Sequence, residues 1–429
     1  MEYLIRSAQQ HEDFREAEIK ALATLHGFDV EILSYSNESP YCVVRLPSDD
    51  AAKLLIERSI LACAIYRLWG QGSDYDSLHE DLRSRTESEW SKYKVSSFWF
   101  QIKTFQSKRS ATARQDIVES FSYLPFDGPI TPQNPDVEFC VCEYFDKGTL
   151  TPKQIYMGRL IGNSCRDVIN VYDLKKRSYI STTSMDAELA LVTANLALAG
   201  PNKLMYDPFV GTAGFPIACA HFGCIVLGSD IDGRCIRGKG EKDVLSNFRQ
   251  YGIAGRWLDG FTADLTNTPL RKRRFLDAIV CDPPYGVREG LKVLGSKRGP
   301  VEEVYIDGKS AYKQADYVPP KKQYSFTAML RDILQFGADT LVDNGRVVLW
   351  MPTANDADVE LPFPQNPYLE LVSVSVQEFN KWSRRLLVYR RLPSVEVDAA
   401  AISAYNHQAG HTADELNDFR RKYFQGFKS

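Results

Sequence analysis

Apolar positions along the chain change their spacing twice, and the changes divide it into three stretches followed by a polar tail. Over residues 1–72 the pattern predicts strand, helix, strand, strand, helix, strand. Residues 3–7 read as a short apolar strand, and 14–25 carry helical spacing that stops at Gly27. Residues 31–35 and 41–46 read as strands around the turn Asn37-Glu38-Ser39-Pro40, a helix capped by Asp49 or Asp50 runs to Ser59, and 62–69 returns as a strand. That order is a ferredoxin-like α+β unit.

Residues 73–164 predict a second α+β unit: a polar helix over 78–90, a strand over 97–103, a helix over 111–124 and strands over 137–145 and 154–160. From 165 to 393 strands alternate with helices, the pattern of a doubly wound, parallel α/β sheet. Helices are expected at 185–199 (capped by Thr183 or Ser184), 215–222, 233–251 and 326–341. Strands are expected at 203–206, 224–229, 257–263, 276–281 and 345–351, with 370–379 and 384–391 as a closing hairpin. Residues 286–325 are polar and too long for an ordinary connection, which points to a functional loop or disorder. The tail, 394–429, holds one amphipathic helix near 413–423.

With 429 residues and 44% hydrophobic content the chain can bury several cores, and its net charge of -3 does not by itself mark a nucleic-acid binder. Charge is local instead. Arg83, Arg85, Lys92, Lys94, Lys103, Lys108, Arg109 and Arg114 stand against only Glu87 and Glu89 between residues 83 and 115. They interleave with Trp90, Tyr93, Phe98, Trp99 and Phe100, as in surfaces where cations meet phosphate and rings stack on bases. Lys92, Lys94, Lys103, Lys108, Arg109 and Arg114 are the candidate RNA contacts. The plainer reading is a solvated face, with Phe98 and Phe100 simply in the core.

The nine cysteines form no C-x-x-C pair, so no metal site is expected and most read as small buried residues in a reducing compartment. Cys140 and Cys142, two apart on a strand, should face the same way. The start of the chain lacks the apolar stretch of a signal peptide and no run is long enough to span a bilayer, which predicts a soluble, cytoplasmic protein.

Two motifs carry chemistry. The first, Asp207-Pro208-Phe209-Val210-Gly211-Thr212-Ala213-Gly214, sits between an apolar strand and a helix. Glycines let the backbone turn and approach a ligand, and the helix start offers free N–H groups to a carboxylate. It is not the G-x-G-x-x-G of a dinucleotide site. The zwitterionic methionine end of S-adenosylmethionine fits it, with Asp207 for the ammonium and the loop backbone for the carboxylate. The next strand ends Asp230-Ile231-Asp232, where such folds grip ribose hydroxyls; Asp230 is the first choice and Asp232 the second. Asp264, after the third strand, is a candidate acceptor for the adenine amino group. Singly, each Asp is more often a cap or a turn former; three at successive strand ends favour a ligand.

The second motif is Asp282-Pro283-Pro284-Tyr285, directly after the apolar strand 276–281. A base amino group is a poor nucleophile because its lone pair is delocalised into the ring. A carboxylate on Asp282 and the Pro283 carbonyl can each accept one of its N–H bonds, which turns the lone pair towards a methyl donor. Pro283 and Pro284 fix the backbone that presents these acceptors, and Tyr285 can stack on an extruded base. The plain alternative is a tight Pro-Pro turn.

On these motifs the chain resembles the catalytic subunits of the eukaryotic tRNA guanosine-10 N2-methyltransferases, a THUMP-containing class I (Rossmann-like) methyltransferase family. Residues 174–180 together with Thr183-Ser184-Met185-Asp186 resemble the lead into that family's catalytic domain. The resemblance implies a ferredoxin-like domain at 1–72, a THUMP-like tRNA-binding domain at 73–164 and a methyltransferase domain at 165–393. It also implies cofactor contacts from Thr183, Met185, Asp207, Phe209, Gly211, Thr212, Gly214, Asp230, Ile231 and Asp264, and a small zinc-binding activator subunit as heterodimer partner. A contact for that partner by strand addition is expected along residues 257–261. One departure stands out: where the family loop reads Gly-Thr-Gly-Ser, Ala213-Gly214 hold the last two places, so a positive φ at Ala213 would strain the loop. Competing readings are an adenine-N6 methyltransferase, since Asp-Pro-Pro-Tyr serves both bases, and a tRNA-binding scaffold without catalysis.

Overall fold

In the computed structural model the described residues are 1–286, 291–295, 305–311, 314, 320–354, 363–380, 382–398, 400 and 402. The helix expected near 413–423 and much of the 286–325 stretch lie outside them. The chain divides into two compact units, Met1–Asp167 and Val168–Ser429.

The first unit follows the expected order β1 (Glu2–Ser7), α1 (Arg15–His26), β2 (Glu31–Ser34), β3 (Tyr41–Arg45), α2 (Asp49–Arg58) and β4 (Ala62–Gly72). Its strands lie β2-β3-β1-β4, and the sheet continues without a break through β7 (Gln154–Asn163), β6 (Val137–Tyr144) and β5 (Phe98–Phe105). The stretches 1–72 and 73–164 therefore share one seven-stranded sheet, joined where β4 pairs antiparallel with β7. The junction exists because β4 runs three residues past its sequence-predicted end, to Gly72, and a Cβ at Gly70 or Gly72 would press within 3.0 Å of α3 (Tyr75–Thr86) or its cap. α4 (Ala111–Glu119) crosses between the parallel pair β5 and β6. Phe98 and Phe100 pack against the core built on Trp69 and Phe139, so on this face the plainer reading holds. Cys140 and Cys142 do share a face, with their sulfurs 3.6 Å apart and buried.

The second unit opens with α5 (Val168–Tyr172) and α6 (Ala187–Leu196). It then alternates β8 (Leu204–Asp207), α7 (Gly214–His221), β9 (Ile225–Asp230), α8 (Arg234–Arg237), α9 (Val244–Gln250), β10 (Trp257–Thr262) and β11 (Leu276–Cys281). Two short ribbons follow, β12 (Lys292–Leu294) with β15 (Lys321–Gln323) and β13 (Tyr305–Ile306) with β14 (Lys309–Ser310). α10 (Phe326–Thr340), β16 (Leu341–Ala354), β17 (Leu369–Glu378) and β18 (Trp382–Arg391) complete it. The sheet order is β10-β9-β8-β11-β16-β18-β17, parallel from β10 to β16 and closed by the antiparallel hairpin. Ile279, Val347, Leu387 and the inner face of α10 form its main core.

Three expectations need correction, the first at α2, which is capped by Ser48 and not by Asp49 or Asp50. The helix expected over 233–251 is two helices, because Gly238 and Gly240 adopt φ of 63° and 64° and Asp243 starts a new helix with a capping box to Ser246. The helix expected from Met185 begins at Ala187, capped not by Thr183 or Ser184 but by Asp186, whose Oδ1 accepts from Leu189 N at 2.9 Å. Among the described residues no helix is long and apolar enough to cross a membrane.

Candidate active site

Because β8 lies between β9 and β11 and all three are parallel, Asp207, Asp230 and the residue after Cys281 emerge at the same end of the sheet. The chain leaves β8 towards β9 on one side and meets β11 on the other, which is the switch point where open α/β sheets bind ligands. The glycine turn and the Asp-Pro-Pro-Tyr turn are therefore neighbours.

The glycine turn is pinned from both sides. Phe209 N donates to Asp207 Oδ1 at 2.9 Å, Val210 N to Ser229 O at 2.9 Å, and Gly211 N to Asp230 Oδ2 at 3.1 Å. Val210 comes so near β9 that a Cβ on Gly228 would sit 2.5 Å from its Cγ2, so the second strand needs glycine there. Ala213, wholly buried, adopts the left-handed conformation with φ 66° and ψ 41°. This is the strained alternative for that position, and α7 begins directly after it.

Asp230 and Asp282 both lie near enough to Asp207 for their charges to act on it. Burial pushes the Asp207 carboxyl well above the usual range, and the charges of Asp230 and Asp282 push it further. Burial likewise raises Asp230, whose oxygens accept from the Gly211 and Asp232 amides. Asp282 is pushed up to about 6, by burial against the opposing Tyr285 hydrogen bond and Arg384 charge. Asp232 is engaged differently: Arg234 forks onto both its oxygens at 2.8 and 2.6 Å. Asp230, in contrast, makes no ion pair among the described residues. Ile231 lies half-buried between them.

Asp264 is spent on the fold to a greater degree than expected. Its Oδ1 accepts from Thr266 N and Asn267 N at 2.7 and 3.0 Å, and its Oδ2 from Leu294 N at 2.8 Å, which ties the third strand's turn to β12. Met185 is buried and Thr183 exposed; the residue between them, Ser184, reaches the glycine turn through Thr212 Oγ1 at 3.1 Å. Phe209, Gly211 and Gly214 are half-buried and Thr212 is buried.

At the second motif Tyr285 Oη donates to Asp282 Oδ1 at 2.5 Å. Pro283 is buried and Pro284 exposed. Tyr285 meets Trp382 edge to face, with centroids 6.3 Å apart, and Trp382 stacks on Phe379 at 4.5 Å. This aromatic wall comes from the tip of the β17–β18 hairpin, which sequence reasoning treated only as strands.

Arg177 was also passed over. It is 6% exposed, its Nε donates to Tyr251 Oη at 3.3 Å, and its Nη1 is buried without a partner, 4.0 Å from the place a Cβ on Gly214 would occupy. Among the described residues it makes no ion pair, and a buried cation beside the first turn of α7 is costly unless an anion reaches it. Its signal in the sequence was Arg177 within the basic run 175–177, which reads as solvated.

In the first unit Lys92, Lys94, Lys103, Lys108 and Arg114 are exposed. Lys92 and Lys94 make only long ion pairs, to Glu89 at 3.8 Å and Asp127 at 3.5 Å. Arg109 differs. Its guanidinium forks onto the fully buried Glu143 at 2.6 and 3.0 Å and lies over the Phe145 ring, so it is committed to the fold.

Comparison with known proteins agrees with this geometry. Residues 1–166 match the family model described as "Tmrp11 THUMP N-terminal domain", and residues 175–297 match "RMKL-like, methyltransferase domain". The Saccharomyces cerevisiae protein named tRNA (guanine(10)-N(2))-methyltransferase is 43% identical over 99% of this chain and 99% of its own length. The protein of that name from Schizosaccharomyces pombe is 41% identical over 91% of this chain and 81% of its own. The human one is 34% identical over 99% and 95%. With two chemically matched turns at one end of the sheet and likeness along its whole length, the chain belongs to the tRNA (guanine(10)-N(2))-methyltransferase family.

Proposed function

We propose that this chain transfers a methyl group from S-adenosylmethionine to the exocyclic N2 amine of guanosine 10 in tRNA. The observation that carries the reading is the adjacency of Asp207 and Asp282, close enough for the charge of Asp282 to act on Asp207, at the end of neighbouring strands.

The pocket fits the cofactor's charges. Asp207 would hold the ammonium, and the unpartnered Nη1 of Arg177 together with the amides at the start of α7 would hold the carboxylate. Asp230 would hold the ribose hydroxyls. Thr183, Met185, Phe209, Thr212 and Ile231 would line the same cleft, with Asp264 keeping the third turn in shape for the adenine. When bound, the cofactor supplies an electrophilic methyl on a sulfonium.

The protein's part is to prepare the amine. Asp282 and the Pro283 carbonyl accept the two N–H bonds, so the nitrogen lone pair is freed from the ring and directed at the methyl. These hydrogen bonds strengthen as the nitrogen gains positive charge, which favours the transition state over the ground state. A carboxylate with a pKa of about 6 is ionised at neutral pH and still basic enough to take the amine proton as the N–C bond forms. Tyr285 stacks on the extruded base.

Lys92, Lys94, Lys103, Lys108 and Arg114 would contact tRNA phosphates. The zinc-binding activator would add to β10, the edge strand of the second sheet, where Leu258 stands exposed. We place the pair in the cytoplasm.

Nucleoside chromatography of bulk tRNA methylated with and without the activator tests the reaction. N2-methylguanosine is expected; N6-methyladenosine in its place would mean an adenine enzyme. A scaffold would show no calorimetric binding of S-adenosylmethionine. Asp282→Ala should abolish turnover with cofactor binding largely kept, and Asp230→Ala should chiefly weaken cofactor binding.

A further inference from the structure

Asp-Pro-Pro-Tyr presents acceptors to an amine but does not say which base carries it. The closing hairpin supplies a group that does. In the sheet, Cys281 pairs with Leu349, Leu349 with Leu387, and Pro352 with Arg384, so Arg384 sits beyond the strand ends on the side where Asp282 emerges. Its guanidinium lies 4.9 Å over the Trp350 ring and 5.6 Å from that of Phe379, and its Nε donates to Gln377 Oε1 at 2.5 Å. Held on three sides, it has little rotamer freedom left to lose on binding a ligand. Phe379 in turn stacks on Trp382, which meets Tyr285, so Arg384 belongs to the same wall as the base-stacking tyrosine.

The charge of Arg384 acts on both Asp282 and Tyr285. Its guanidinium also hydrogen-bonds the Tyr285 hydroxyl, which in turn donates to Asp282. A cation and a carboxylate on either side of the Tyr285 hydroxyl present a donor and an acceptor to a base stacked on that ring. Guanine matches that polarity along one edge, with N2–H and N1–H as donors and O6 as acceptor. Arginine is also the side chain most often paired with guanine O6.

We propose that Arg384 is the specificity-determining residue for the base, donating to guanine O6 while Asp282 and Pro283 accept from N2. The inference rests on the N2-methylation reading. A purine that keeps the 2-amino group but has hydrogen at C6 offers Asp282 the same amine and takes the O6 acceptor away from Arg384, leaving only the ring N1 lone pair on that side. A site built to bond a substrate group rejects an analogue lacking it by large factors, here on the order of 100-fold or more in kcat/KM.

The test uses the full chain with its activator and tRNA assembled by ligation with either guanosine or 2-aminopurine riboside at the target position. The unaltered enzyme should prefer guanosine by on the order of 100-fold. In Arg384→Gln and Arg384→Ala the activity on guanosine should fall while that on 2-aminopurine changes little, so the ratio collapses to within about tenfold. Arg384→Lys, which keeps the charge but not the fork, should lie between. Equal losses on both substrates, with the ratio intact, would show that Arg384 only supports the site and would overturn the inference. So would equal activity of the unaltered enzyme on the two. Calorimetry with S-adenosylhomocysteine confirms that each variant is folded. Absence of any product from the guanosine tRNA with unaltered enzyme would instead overturn the underlying reaction.

Discussion

The Tyr285 hydroxyl donates to Asp282 Oδ1 at 2.5 Å, and this bond opposes the burial that raises the carboxyl to about 6. A kcat/KM–pH profile reports groups of the free enzyme. The active form needs Asp282 ionised, so activity should climb as pH rises through about 6 and level off above 7. Tyr285→Phe removes a bond made to the charged form. The folded pKa must then rise, and the limb should move to higher pH. A limb that stays put or moves down would mean that Asp282 is not the group titrating.

Two other carboxylates govern cofactor affinity. Asp207 and Asp230 are both raised, so each takes up a proton at higher pH than an ordinary carboxyl. Ammonium and sulfonium charges stabilise the ionised forms, so binding releases protons. Affinity for S-adenosylmethionine should therefore increase with pH across the raised range. Calorimetry in buffers of different ionisation enthalpy checks both the slope and the proton release.

Arg177 gives a sharper ligand test. Arg177→Gln should weaken S-adenosylhomocysteine binding by about tenfold or more, the worth of one charge-assisted hydrogen bond of roughly 1.5–3 kcal/mol. It should leave 5′-methylthioadenosine, which has no carboxylate, nearly unaffected. Equal loss for both ligands would place Arg177 in the fold alone.

Ala213 in the left-handed region costs about 1–2 kcal/mol relative to an unstrained residue. Ala213→Gly relieves that strain but adds freedom to the unfolded chain, about 0.4–1 kcal/mol, and removes a buried methyl worth about 0.8 kcal/mol. These effects nearly cancel, which explains how alanine can stand at a left-handed position. Thermal unfolding of Ala213→Gly should shift by only a few degrees. Ala213→Val, β-branched at a wholly buried site, should lose stability clearly.

Much of this was legible because each chemical residue follows an apolar strand. Asp207, Asp230 and Asp282 stand where alternating strands and helices must place them, at one end of a parallel sheet. What stayed hidden depends on contacts between distant segments. The β4–β7 pairing leaves no local trace, since two half-sheets and one long sheet have the same alternation. Helix caps were misplaced by a residue or more: Ser48, not Asp49 or Asp50, caps α2, which leaves Asp49 to accept from Tyr3 and Arg159 at 2.7 and 2.6 Å. Arg384 reads as an ordinary strand residue and Trp382 falls between the two strands expected there, because only the closed hairpin brings them beside Tyr285.

Arg109 and the exposed lysines of the first unit look alike in sequence and should behave oppositely. Arg109→Ala strips the fork from Glu143, which keeps only the Tyr75 hydroxyl at 3.0 Å as a donor among the described contacts. Leaving a buried carboxylate unpaired costs about 3 kcal/mol or more, so chemical denaturation should show a large loss of stability. Lys92→Glu, Lys94→Glu, Lys103→Glu and Lys108→Glu sit on exposed positions and should leave stability within about 0.5 kcal/mol. Each that meets a phosphate should weaken tRNA binding and flatten its dependence on salt by close to one counterion. A lysine variant that lowers stability without changing the salt slope would be supporting the fold, and the RNA surface would then lie elsewhere on the unit.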